Sequence, residues 1–176
     1  MLIYNGMANI VIERLDIKLG TDISVYIERE VTDGANSTKK KWISLDEWIY
    51  DPSIDEERVP YGKRYWIERN YLLFAILADV RNRYNIQPIS QPKGLPEDVS
   101  PEVKKQSDDE NGDAHTRSWL TLKELLEYDW QQKFEDDNDE IFPLEAMVIP
   151  FVSEFIPRLS KIDEPENVRM VFWFDN

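Results

Sequence analysis

The C-terminal run VRMVFWFDN, Val168–Asn176, decides how this chain must fold. Val168, Met170, Phe172 and Phe174 alternate with Arg169, Val171 and Trp173, which is the period of a strand, and both faces are mostly apolar. Such a strand needs cover on both sides and belongs in the centre of a sheet rather than at its edge. Its expected neighbour is DISVYIEREV, Asp22–Val31, with Ile23, Val25 and Ile27 on one face and Ser24, Tyr26 and Glu28 on the other. TDGANSTKKK then reads as a hairpin loop, with Asp33-Gly34 as turn pair and Lys39–Lys41 as a solvated tip. Lys41–Trp48 is the returning strand, or a strand passing into a short turn capped by Ser44.

Around these strands the chain alternates helices and loops. In Glu68–Arg83, Leu73, Ile76, Leu77 and Val80 follow helical spacing, and Phe74 and Ala78 widen the stripe. Asn85–Pro96 holds three prolines and a glycine and reads as a loop. Ser100-Pro101-Glu102 starts a short helix that Ser107–Asp113 breaks, and DAHTR reads as a turn. Thr121–Glu124 is a T-x-x-E capping box, opening a helix with Leu122, Leu125, Leu126 and Trp130 on its buried stripe. Tyr50–Tyr61 and the acidic Phe134–Glu140 read as exposed loops. A helix from Pro143 to about Lys161 is expected to kink or break at Pro150 and Pro157. The N-terminal residues suit one strand around Ala8–Leu15. The expected fold is α+β: a small, mainly antiparallel sheet packed against about three helices. It forms a single domain over residues 19–176, with 1–18 as an N-terminal extension.

A hydrophobic content of 41% supplies enough material for a real core, so disorder throughout is not expected. The net charge is -14, from 35 acidic against 21 basic residues. That surface repels nucleic acid and anionic membranes and steers toward basic partners. No direct nucleic-acid partner and no membrane partner is therefore expected. The absence of cysteine excludes disulfides, thiolate catalysis and Cys-based zinc sites. No basic segment followed by an apolar run opens the chain, so the reading is of a soluble intracellular protein. No cofactor is expected.

The candidate chemistry is sparse. His115 is the only histidine, and with Asp113 it forms a D-x-H pair in which a carboxylate could orient an imidazole. Asp22, Asp108 and Asp109 could add carboxylates for a metal, although one histidine cannot make a multi-His site and no metal site is assigned. The plainer reading of His115 is a histidine that bonds a loop and caps a helix. Arg81 and Asn82 close the first helix beside the long loop; an anion contact and an internal salt bridge from Arg81 to Asp79 or Asp98 both fit. Asp108, Asp109, Asp136 and Asp137 are the binding candidates among the clustered acids, which either serve solubility alone or form a strip that imitates a phosphate backbone.

Several motifs resemble a family of bacteriophage- and prophage-encoded proteins of uncharacterised function. Its pattern runs GCDIH, RNY-x-LF-x-ILADVRN, PIS-x-P-x-GLP-x-D-x-S, D-x-H-S-x-SWLT-x-x-EL and a VFWFDN ending. Here these are GTDIS at Gly20–Ser24, RNYLLFAILADVRN at Arg69–Asn82, PISQPKGLPEDVS at Pro88–Ser100, DAHTRSWLTLKEL at Asp113–Leu125, and Val171–Asn176. Thr21 and Ser24 stand where the pattern has Cys and His, and the Gly-rich loop of the pattern is shortened to Arg83–Ile86. The resemblance implies a phage accessory protein in a bacterial host cytoplasm. With the charge, it sets the leading expectation: an acidic protein that binds and inhibits a host protein with a basic surface, such as a nucleic-acid-handling defence factor. The alternatives are a small nucleotide-binding protein or hydrolase with a site near Asp113, His115 and Arg81, and a phage structural or assembly part.

Overall fold

The computed structural model describes residues 20–32, 34, 39–110, 112 and 114–175. The expected strand around Ala8–Leu15 and the residue Asp113 lie outside them. In chain order the described elements are strands β1 (Asp22–Thr32), β2 (Lys40–Ser44), β3 (Ile49–Asp51) and β4 (Glu56–Arg58), then helices α1 (Tyr71–Ala78) and α2 (Pro101–Asp109). Strand β5 (His115–Thr121), helix α3 (Leu122–Glu127), strands β6 (Lys133–Glu135) and β7 (Ile141–Pro143), helices α4 (Leu144–Met147) and α5 (Ile156–Leu159) and strand β8 (Val168–Asp175) follow.

The main sheet is fully antiparallel, in the order β2-β1-β8-β5. Strand β8 is central and buried from Val168 to Phe174, and its partner is β1, in the register Asp22↔Asp175 through Arg29↔Val168. Both faces are covered, which is why the strand tolerates apolar residues on both. One face presents Ile23, Val25, Ile27, Leu120, Met170, Phe172 and Phe174 to α1, α3 and the 144–159 segment. The other presents Tyr26, Val171 and Trp173 to Val103 of α2 and to Val59. Tyr26 stacks between Trp48 and Trp173, at 5.7 and 5.0 Å between ring centroids. The result is an α+β domain with helices on one side of the sheet and a thinner layer of α2 and loops on the other.

Several elements differ from the expectation. Helix α1 is shorter than Glu68–Arg83. Asn70 caps it by accepting from the Leu73 N–H, and Asp79 ends it in the left-handed region at φ 59°. Residues Leu73–Ala78 are buried all round, so α1 is a core rod rather than a striped surface helix. Helix α2 runs on to Asp109, because Ser107 is buried and receives Arg117 at both its hydroxyl and its carbonyl. Within the expected DAHTR turn, His115–Arg117 lie in β5, with a register break between His115 and Ser118 and Thr116 at φ 50°. Leu126 is exposed rather than on the α3 stripe, while Trp130 is buried beyond the helix end. The expected Tyr50–Tyr61 loop overlaps the short hairpin β3–β4, and the expected Phe134–Glu140 loop is the end of β6 and the turn that joins it to β7. The 143–161 segment is interrupted as expected, with a π-turn at Phe151–Phe155 where Ile156 N–H reaches back to Phe151 O. Pro157 cannot donate to that ladder, and the wide turn absorbs the lost bond.

Asp46 fixes the end of β2. Its Oδ2 accepts from the Ile27 N–H at 3.1 Å and the Ser44 hydroxyl at 3.0 Å. Burial pushes its carboxyl up to about 6, against the lowering effect of those bonds and with the Glu28 charge adding to the rise. A raised acid pKa means that the folded state holds the proton more tightly. The associated stability is complete at pH values below the unfolded carboxyl value and is lost as pH rises through about 6. Between pH 8 and pH 5 the wild type is expected to gain about 1.4 kcal/mol more than Asp46→Asn, which keeps the acceptor but cannot titrate. Urea unfolding of both proteins at the two pH values measures the difference; equal gains would contradict the assignment.

Candidate functional site

A strand that must be apolar on both faces nevertheless carries Arg169, 2% exposed, and its registered partner on β1 is Glu28, fully buried. Arg169 Nε donates to Glu28 Oε2 at 2.7 Å, and Nη1 donates to Asp98 Oδ1 at 2.7 Å. Glu28 Oε1 accepts from the Ser100 N–H at 2.7 Å, so the ion pair also anchors the chain entering α2. The register places Ser44, Glu28, Arg169 and Thr121 in one row across the four strands. Side chains two residues apart share a face, so Trp42 on β2 and Trp119 on β5 join Glu28 and Arg169 on the same side of the sheet. The Arg169 guanidinium lies 4.0 Å from the Trp42 ring centroid and 5.7 Å from that of Trp119.

The loop Lys93–Asp98 crosses this face and leaves a cleft of about 470 Å³, walled by Trp42, Trp119, Leu95 and Pro96, with Arg169 at its base. Lys93 N–H donates to Ser118 Oγ at 3.2 Å, and Gly94 N–H to Arg117 O at 3.0 Å, so the loop is tied to the β5 edge by its backbone. Gly94 turns there at φ 77°, where a side chain would be strained. The Lys93 ammonium stands 4.2 Å from the Trp119 ring centroid and 2.5 Å from Glu124 Oε1. Burial would push the Glu124 carboxyl up, but Lys93 and the Thr121 bonds outweigh it and hold it below the ordinary carboxylate value. The lining carries two cations, Lys93 and Arg169, and two acids, Glu97 and Asp98; Lys93 pairs with Glu124, and Arg169 with Glu28 and Asp98. The lining holds no histidine, and its one hydroxyl, Thr121, is engaged in the α3 capping box. Two indole faces beside charged side chains suit recognition by stacking and charge.

The residues singled out from sequence lie elsewhere. Arg81, at φ 56°, donates from Nε to Thr21 Oγ1 at 2.9 Å and lies over Tyr71; Asp98, one expected partner, pairs with Arg169. Asn82 closes the loop, donating to Asp79 Oδ1 and Ile86 O and accepting from the Ile86 N–H. His115 stacks on Phe174 and shares Nδ1 with the Thr116 hydroxyl; its Nε2 is buried and lacks a hydrogen-bond partner among the described residues. Asp22 is held in a two-point bond by Arg69, which lowers its pKa. His115 lies two strands from β1, about 10 Å of sheet. Asp108 and Asp109 pair with Lys104 and Lys105 on α2, while Asp137 pairs with Arg83 and Asp136 accepts the Asn138 and Glu140 N–H groups of its turn. The two acid pairs belong to layers on opposite faces of the sheet, since α2 packs through Val103 and the β6–β7 hairpin through Phe134. Among the described residues no group of three His, Asp or Glu side chains is placed to hold a metal ion, and no helix is long and apolar enough to cross a membrane.

Sequence reasoning missed Trp42, Lys93, Trp119, Glu28 and Arg169. A signal was present: opposite charges on two strands expected to be neighbours and buried, where an unpaired charge is not tolerated. A second hollow of about 350 Å³ lies between Trp66–Asn70 and Val148–Arg158 and contains none of the residues expected from sequence to bind. Comparison with known proteins found no matching family model, no matching curated protein and no matching solved structure.

Proposed function

We propose that the protein is an acidic accessory protein of the phage type, which binds a host protein through a basic segment and blocks it. A nucleic-acid-handling defence factor is the partner class suited by a charge of -14, because its own ligand surface is basic. The observation that carries this reading is the cleft between Trp42 and Trp119, whose two indole walls stand beside Glu97, Asp98 and the Glu124 carboxylate. Aromatic faces and carboxylates together select cationic side chains. The net charge of -14 supplies long-range attraction, while the cleft supplies the contact.

The test is a fluorescence-polarisation titration with a labelled Gly/Ser peptide bearing arginine and lysine, beside its counterpart bearing glutamate. The basic peptide is expected to bind and to weaken as salt rises from about 0.05 M to about 0.5 M. The acidic one is expected not to bind. Trp42→Leu and Trp119→Leu, which keep apolar bulk but lose the ring face, are each expected to cost about tenfold in affinity. Equal binding of both peptides, or unchanged affinity in both variants, would contradict the reading.

A further inference from the structure

The two cations of the cleft are not equivalent. Arg169 is sealed at 2% exposure, bonded to Glu28 and Asp98 and stacked on Trp42, so no ligand can take its place without opening the sheet. Lys93 is different. Its side chain is 24% exposed and that of Glu124 is 31% exposed, so solvent reaches both. The Lys93 backbone, not its ammonium, holds the loop on β5. The side chain can therefore swing out while the loop stays in place.

The receiving corner is built independently of Lys93. Glu124 Oε2 accepts from the Thr121 N–H at 2.9 Å and from the Thr121 hydroxyl at 3.0 Å, inside the capping box that opens α3. Those bonds fix the carboxylate and leave Oε1 for a cation. Trp119 is fixed by β5, whose register with β8 pairs it with Val171. A fixed carboxylate beside a fixed indole face receives an ammonium with little reorganisation. An exposed ion pair and one ring contact are weak bonds, so the internal cation is exchangeable.

We propose that the corner formed by Trp119 and Glu124 is a subsite for the ammonium group of a lysine side chain in the partner, and that Lys93 fills it in the free protein. This rests on the reading of the cleft as the contact for a basic segment. Lys93 acts as a tethered stand-in that the partner's lysine displaces. Because only the fraction with Lys93 swung out is competent to bind, affinity in the wild type is lowered by that fraction.

The experiment titrates three labelled Gly/Ser peptides, bearing lysine, arginine or glutamate, into the wild-type protein, Lys93→Ala, Lys104→Ala and Glu124→Gln/Lys93→Ala. Lys104 pairs with Asp108 on α2, so its loss makes the same change in net charge outside the cleft lining. Lys93→Ala is expected to tighten binding of the lysine peptide about tenfold, and Lys104→Ala less than about twofold. Glu124→Gln keeps an acceptor for the cap but not the charge, and is expected to abolish the gain. Equal tightening by Lys93→Ala and Lys104→Ala, or none, overturns the subsite while leaving the cleft reading standing if wild-type binding still depends on Trp119. Tightening confined to the arginine peptide overturns the ammonium assignment. No binding of either basic peptide to the wild type or to Lys93→Ala overturns the cleft reading and the subsite together.

Discussion

Arg169→Met is expected to destabilise the protein by about 3–5 kcal/mol, because it leaves the Glu28 carboxylate buried without its counter-charge. Glu28 is fully buried, and its remaining bond is the one from the Ser100 N–H. Losing the guanidinium also frees Asp98, so the loop over the cleft and the start of α2 loosen together. The double variant Glu28→Gln/Arg169→Met keeps an acceptor for Ser100 and removes both charges; it is expected to recover most of the loss. Urea unfolding of wild type, single and double variants measures this directly. A double variant as unstable as the single one would show that Arg169 contributes through packing on Trp42 rather than through charge.

The second large effect lies in the core. Phe74 is fully buried at the centre of α1, with its ring 5.0 Å from that of Phe174 on β8. Phe74→Ala removes that contact and leaves a cavity in the helix–sheet interface, at an expected cost of about 3–5 kcal/mol. Leu126→Ala, by contrast, truncates a side chain that is 48% exposed and is expected to change stability by no more than about 0.5 kcal/mol. The contrast is informative because periodicity alone places both residues on buried stripes. Comparable costs for the two would contradict the described packing of α3.

The sheet was legible because its pattern is physical at short range. Strict alternation in Asp22–Val31 and Val168–Phe174, apolar on both faces of the latter, leaves few places for either strand. The capping box at Thr121 and the break near Pro157 were legible for the same reason. What escaped were features set by distant partners. Helix α1 stops at Asp79 because the chain turns left-handed there, although the apolar spacing continues to Val80. Residues His115–Thr121 become a strand because β8 offers an open edge, which overrides the turn-like DAHTR composition. The cleft escaped because its lining comes from Trp42, Lys93, Trp119 and Arg169, spread across the chain and joined by sheet register and by the loop bonds of Lys93 and Gly94. Asp136 and Asp137 drew attention as charge, but one holds a turn and the other pairs with Arg83.

Whether the cleft between Trp42 and Trp119 is the contact for a basic ligand is tested most directly by the indole N–H signals of the protein. Trp48, Trp130 and Trp173 donate internally to Ser44, Leu125 and Glu110, so their signals serve as fixed references. Trp66 reports on the second hollow, which it lines. Titrating the lysine-bearing peptide into ¹⁵N-labelled protein is predicted to shift the Trp119 and Trp42 signals with one common saturation curve. Shifts at Trp66 alone, or no shift at Trp42 and Trp119 under saturating peptide, would contradict the account.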